Sequence, residues 1–142
     1  KTGADVIGVR RNPVATAVTG ISTHGMDDLE SLLPWADHVV LLLPGSESTN
    51  QFMNPARLSL MKPGSYIYNF GRGNSLTTAD LLAALPHLGG AFLDVTDEEP
   101  LPTDSPLWKQ DNVFLTPHSS CIYSEYMPMF IDEVISKINT YL

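Results

Sequence analysis

Apolar residues in this chain fall into short continuous blocks, separated by stretches in which they recur at helical spacing. The run Val6-Ile7-Gly8-Val9 closes at Arg10-Arg11-Asn12-Pro13 and predicts a strand over 5–9 entering a turn. Residues 14–25 carry little periodicity and predict loop with a short edge element. Asp27 and Asp28 stand where they would cap a short helix through Leu29, Leu32 and Leu33. The block over 39–43 stops at Pro44-Gly45, and its unbroken hydrophobicity predicts a parallel strand covered on both faces. Asn54-Pro55 reads as an N-cap and first helical residue leading to Leu58 and Met61. Lys62-Pro63-Gly64 is a turn before a strand over 65–70. Thr77 with Asp80 resembles a capping box ahead of Leu81, Leu82 and Leu85. Further strands are predicted over 91–95 and 113–116. Met127, Ile131, Val134, Ile135, Ile138 and Leu142 sit at helical spacing in the tail.

This alternation implies an α/β fold, an open parallel sheet wrapped by helices. With 142 residues, 43% of them apolar, there is material for one domain with a core. The stretch from Pro100 to Pro106 is too short for an interdomain linker and reads as a rigid surface loop. The first residues read as the end of a helix running into a strand, so the chain resembles a piece of something longer. A net charge of -8 argues against a nucleic-acid or anionic-membrane surface. No apolar run approaches the ~18 residues of a membrane helix, and no signal peptide opens the chain, which makes the cytoplasm the expected location. The single cysteine, Cys121, cannot form an internal disulfide and fits a reducing compartment.

Almost every polar residue of interest falls at the C-terminal end of a predicted strand, the edge where open α/β sheets bind ligands. Arg10 and Arg11 follow the first strand, Pro44 to Thr49 the second, Arg72 in Gly71-Arg72-Gly73 the third, Asp94 and Glu99 the fourth, and His118 the fifth. A histidine oriented by a carboxylate, with an arginine able to clamp an anion, suits proton transfer at a carbonyl or alcohol carbon. The flanking glycines would let a ligand approach the backbone. The same residues equally suit a surface histidine after a turn, loop charge and a surface arginine. Arg10-Arg11, with no acid at that strand end, suits a nucleotide 2′-phosphate or simply a solvated turn; Asp94 suits a carboxamide or a capping role. Trp108 reads as a packed anchor. His24, His38 and His87 show no metal-ligand spacing with each other or with Cys121, and no metal site is expected.

The motifs have a family look. Leu42-Leu43-Pro44-Gly45-Ser46-Glu47-Ser48-Thr49, Met61-Lys62-Pro63-Gly64 with Asn69-Phe70-Gly71-Arg72-Gly73, Gly89-Gly90-Ala91-Phe92-Leu93-Asp94-Val95 with Glu98-Glu99-Pro100-Leu101-Pro102, and Ser105-Pro106-Leu107-Trp108 with Thr116-Pro117-His118 occur in order. The chain resembles the D-isomer-specific 2-hydroxyacid dehydrogenases, in particular their glyoxylate/hydroxypyruvate reductase-like branch, from Val6 to the tail helix. The resemblance implies a Rossmann-like cofactor-binding domain and hydride transfer between NADPH and a small 2-oxo acid, with NADH as a second cofactor. It implies Arg72 on the substrate carboxylate, His118 as acid/base and Glu99 as its partner. Asp94 would hold the nicotinamide carboxamide. Leu43, Pro44, Thr49, Phe70, Gly71 and Ser120 would line the dinucleotide, and Arg10 and Arg11 would accept the 2′-phosphate. Homodimers of the full-length form are implied as well.

The chain departs from the family's pattern in lacking the Gly-x-Gly-x-x-Gly loop with its strand and helix, and the substrate domain. Residues 1–142 therefore correspond to a partial NAD(P)-binding domain whose last helix would return to the missing substrate domain, and the piece alone is expected to be inactive. Phe70 is bulkier than the family's usual residue, and Thr96-Asp97 replaces the commoner Phe-Glu. Two rival readings are a non-catalytic, corepressor-type interaction module and a strict NAD user.

Overall fold

The computed structural model describes residues 3–13 and 20–141, with side chains as far as Asn139. It contains two parallel sheets. Strand β1 (Ile7–Val9) pairs with β2 (Ser22–His24). Strands β3 (His38–Leu41), β4 (Tyr66–Asn69), β5 (Gly90–Leu93) and β6 (Val113–Leu115) form the second sheet in that order. Each β3–β6 neighbour is reached through a crossover, as parallel pairing requires. Helix α1 (Leu29–Leu32) precedes β3, α2 (Pro55–Leu60) precedes β4, and α3 (Thr78–Ala84) precedes β5. A 3₁₀ turn over Pro106–Lys109 lies between β5 and β6, and α4 (Tyr126–Tyr141) ends the described chain.

The helix starts follow local chemistry. The Asn54 side chain accepts from the Arg57 amide at 3.0 Å, and Pro55 takes the first helical position, where no amide is needed. Thr77 accepts from the Asp80 amide at 3.1 Å. Asp97 then accepts from both the Thr78 amide and the Thr78 hydroxyl, so α3 is capped from a distant loop as well as from its own N-cap. Asp28 makes no side-chain cap to α1; it pairs with His24 at 3.3 Å instead. The quiet stretch over 14–25 contains β2 at its end, while residues 14–19 lie outside the described residues.

Strand alternation divides the larger sheet into two faces. In register across the sheet, Val39, Ile67, Ala91 and Val113 lie side by side, as do Leu41, Asn69, Leu93 and Leu115. That face joins Leu29 and Leu33 beside α1, Leu58 and Met61 of the α2 region, and Leu81 and Leu85 of the α3 region in one buried cluster. The opposite face presents Val40, Tyr68, Phe92 and Phe114 in one row and His38 and Tyr66 in another. Their rings stack along the sheet, with Tyr68–Phe92 at 6.5 Å and Phe92–Phe114 at 6.3 Å. Val40 and Phe114 are 52% and 60% exposed. The continuous apolar strand over 39–43 was expected to be covered on both faces. The structure covers one, because the three short helices all pack on the same side.

Candidate active site

Three loops leave the carboxyl ends of β3, β4 and β5 and interlock through their backbones. Gly71 lies so close to the β3 loop that a Cβ there would be 2.6 Å from the Leu43 nitrogen and 2.5 Å from its carbonyl oxygen. A Cβ on Gly73 would overlap the Thr96 carbonyl. The two glycines were expected to admit a ligand. The Cβ direction of each is taken by neighbouring protein backbone, which brings the Arg72 loop against both flanking loops. Asn69, buried at the end of β4, accepts from the Gly71 amide at 3.1 Å and donates to the Arg72 carbonyl at 3.3 Å. The Arg72 stem packs over Gly45, and its Nη1 donates to the Gly71 carbonyl at 2.7 Å.

Beyond β6, His118 takes a left-handed backbone conformation at φ 53°. Such a conformation costs a non-glycine residue about 1 kcal/mol and persists where its surroundings enforce it. Asp94, 2% exposed at the end of β5, does the enforcing. Its Oδ1 accepts from the Thr116 hydroxyl at 2.5 Å and the Ser119 amide at 2.9 Å, and its Oδ2 accepts from the Ser120 amide at 2.9 Å. Burial alone would raise the Asp94 pKa, but the Ser120 and Thr116 side chains and the Ser119 and Ser120 amides outweigh it. They hold the carboxyl well below the usual range.

The turn so fixed places His118 Nδ1 2.9 Å from Glu99 Oε2. Glu99 is fixed in turn, its Oε1 accepting from the Thr96 amide at 3.0 Å. With Nδ1–H donating to the carboxylate, Nε2 is the ring nitrogen left for chemistry. The pair opens onto a cleft of about 430 Å³ whose other wall is apolar, formed by Leu101, Trp108 and Leu115. Trp108 was expected to be a packed anchor, but it is 55% exposed, with Nε1 donating to the Pro102 carbonyl at 2.8 Å. The neighbouring Leu107 is the anchor, 1% exposed. Arg72 does not line this cleft.

The remaining expected site residues lie on the loops after β1, β3, β4 and β6. Arg11 meets the β3 loop, with Nη2 donating to the Ser48 hydroxyl at 3.1 Å. Leu43 and Pro44 lie on that loop. Thr49 is 5% exposed, and its hydroxyl donates to the Pro44 carbonyl at 2.7 Å, so its side chain closes the loop. Phe70 belongs to the aromatic row, 5.6 Å from Phe92. Ser120 contributes its amide to the Asp94 clamp. Sequence reasoning missed Ser46, Ser48 and Asn74, whose polar groups tie the β3 loop together. Ser46 and Ser48 lie in the quoted run from Leu42 to Thr49 but were given no role, and Asn74 follows Gly73 with no signal of its own. Arg10 follows β1, and its amide donates to the His24 carbonyl at 3.0 Å.

A parallel sheet backed by helices, with its polar loops gathered at the carboxyl edge, is an α/β domain of the dinucleotide-binding kind. Residues 1–120 match the D-isomer specific 2-hydroxyacid dehydrogenase NAD-binding domain, and the chain belongs to that family. Among curated relatives, glyoxylate/hydroxypyruvate reductase A of Salmonella newport is 39% identical over 100 residues, which is 69% of this chain and 32% of that protein. A protein from the proB 3′ region of Corynebacterium melassecola is 46% identical over 100 residues, 69% of this chain and 33% of the relative. Among solved structures, a D-isomer specific 2-hydroxyacid dehydrogenase from Xanthobacter autotrophicus in complex with NADPH and MES superposes with a TM-score of 0.83. It is 37% identical, and the match covers 97% of this chain and 58% of that one. The NADPH-dependent glyoxylate/hydroxypyruvate reductase of Sinorhizobium meliloti, in complex with NADP and sulfate, also gives 0.83. It is 32% identical, over 99% of this chain and 46% of that one. The chain thus spans about a third of the curated relatives it matches and about half of these solved structures.

Proposed function

We propose that this chain is the cofactor-binding part of an NADPH-dependent reductase of small 2-oxo acids, of the glyoxylate/hydroxypyruvate type. The observation that carries the reading is the 2.9 Å pair between Glu99 and His118 at the carboxyl edge of the sheet. Bound NADPH would supply the hydride. His118 Nε2 gives a proton to the substrate oxygen as it becomes a hydroxyl, and takes one back in the oxidation direction. Glu99 holds the ring tautomer and faces the imidazolium. Arg72 pairs with the substrate carboxylate once its guanidinium leaves the Gly71 carbonyl, a bidentate contact that lysine does not reproduce.

The residues present fit the cofactor. The turn after β1 offers Arg10 and Arg11, and Arg11 already meets a hydroxyl of the β3 loop; cations and hydroxyls are the donors a 2′-phosphate needs. Leu43, Pro44, Phe70 and Gly71 lie along the same edge, and Asp94 and Ser120 fix the turn beside it. The exposed apolar side chains of α4, among them Met127, Phe130, Ile131 and Ile135, support its packing onto a substrate domain. The family resemblance supports a homodimer, and the single cysteine, Cys121, supports a cytoplasmic location.

The test is a chimera in which this chain replaces the matching segment of the Salmonella newport reductase. It should oxidise NADPH with glyoxylate or hydroxypyruvate, and His118→Gln should lower turnover by about 10²- to 10⁴-fold. A folded chimera without turnover, or full activity in His118→Gln, would overturn the reading. Equal or better use of NADH would overturn the cofactor preference. The 142-residue chain by itself is expected to turn over neither substrate, because relatives contribute further chain to the enzyme; measurable turnover would refute this.

A further inference from the structure

Resting on the reading of this edge as a dinucleotide site, we propose that Ser48 is a recognition residue for the 2′-phosphate of a phosphorylated adenosine nucleotide, donating a hydrogen bond beside Arg11. The two residues lie 37 positions apart, one after β1 and one after β3, and the bond between them closes the space between the two loops.

Counting protons in the β3 loop singles out Ser48. The Thr49 hydroxyl gives its proton to the Pro44 carbonyl at 2.7 Å and accepts from the Ser46 amide at 3.1 Å. The Ser46 hydroxyl lies 3.0 Å from Thr49 Oγ1 and can place its own proton there. Ser48 Oγ accepts from Arg11 Nη2 at 3.1 Å and lies 3.0 Å from Ser46 Oγ. With Ser46 donating to Ser48 instead, Ser48 Oγ accepts from both Ser46 and Arg11, and the loop needs no proton from it. That proton is free to turn toward an anion next to the guanidinium, whose other N–H groups meet no acceptor among the described residues and can join it. The loop is also anchored from behind, where Asn74 Nδ2 donates to the Ser46 carbonyl at 3.1 Å. The serine therefore sits on a braced turn rather than on a loose one.

The experiment measures affinity for adenosine 2′,5′-bisphosphate and for adenosine 5′-monophosphate by calorimetry, on the chain and on the chimera, alongside NADPH and NADH. Ser48→Ala should weaken the 2′-phosphorylated ligands about tenfold, the scale of one hydrogen bond to a charged group. It should leave the 5′-monophosphate and NADH unchanged. Ser48→Thr, which keeps the hydroxyl, should restore the preference. In an Arg11→Ala background the Ser48→Ala loss should persist, because the contact is direct. Equal loss on both ligand classes would make Ser48 a loop-shaping residue and overturn the proposal, as would no loss at all. Failure of the parent reading looks different: the unsubstituted protein would itself show no preference for the 2′-phosphorylated ligands.

Discussion

At the scale of single residues, Asp94 explains how an imidazole stays in place on a strained backbone. A buried carboxylate accepting from two amides and two hydroxyls makes charge-assisted bonds, each stronger than a neutral one. Asparagine keeps the shape but turns an N–H toward donors that need an acceptor. Asp94→Asn should therefore cost about 3 kcal/mol and free the His118 turn, measured as denaturant midpoint and as loss of protection from proteolysis around Ser120. The pH dependence has a definite sign. Because the folded pKa is depressed, the contribution is fully present above the unfolded value of about 3.9 and fades as pH falls below it. The stability gap between the protein and Asp94→Asn should be flat from neutrality to about pH 4 and then narrow. A gap that widens in acid would contradict the clamp. The Glu99–His118 pairing was legible in the sequence because each residue follows a strand end. The clamp was not, since the groups that Asp94 accepts from are a threonine, a serine and two amides that any turn could carry.

At the scale of elements, the loops depend on glycine for contact with one another. Alanine at Gly73 must displace the Thr96 carbonyl, and at Gly71 the Leu43 backbone. Each should destabilise the fold by about 3 kcal/mol, the upper range for overpacking. Gly45→Ala, whose Cβ would meet the flexible Arg72 stem at 3.3 Å, should cost far less by thermal unfolding. A similar loss at all three positions would show that backbone contact is not the reason. Helix α3 gives a second check. Thr77→Ala removes a hydrogen-bonded N-cap and should cost about 1 kcal/mol, and Asp97→Ala a comparable amount. The larger sheet and α2 to α4 were legible because apolar blocks and caps are local signals. Strand β2 was legible only as a short edge element within 14–25, because Ser22-Thr23-His24 is polar and gains its order from pairing with Ile7-Gly8-Val9. The split into two sheets was invisible, since strand order is set by partners distant in sequence.

For the whole molecule, the decisive feature is that helices cover only one side of the larger sheet. The other side shows a stacked aromatic row flanked by Val40 and Leu42, the latter 72% exposed, and α4 adds a second apolar surface. Contiguous patches of this kind drive association, while a net charge of -8 opposes it. Salt decides between the two effects, because screening weakens repulsion and leaves apolar burial intact. The 142-residue chain should self-associate with rising concentration, and more strongly in high salt, by sedimentation velocity. Phe114→Ser should reduce that association with a stability change of about 0.5 kcal/mol or less, since the ring is 60% exposed. A chain that stays monomeric at every concentration and salt would mean the aromatic face is too small or too twisted to bind another. Association unchanged by Phe114→Ser would move the contact to α4, where Phe130→Ser should then abolish it.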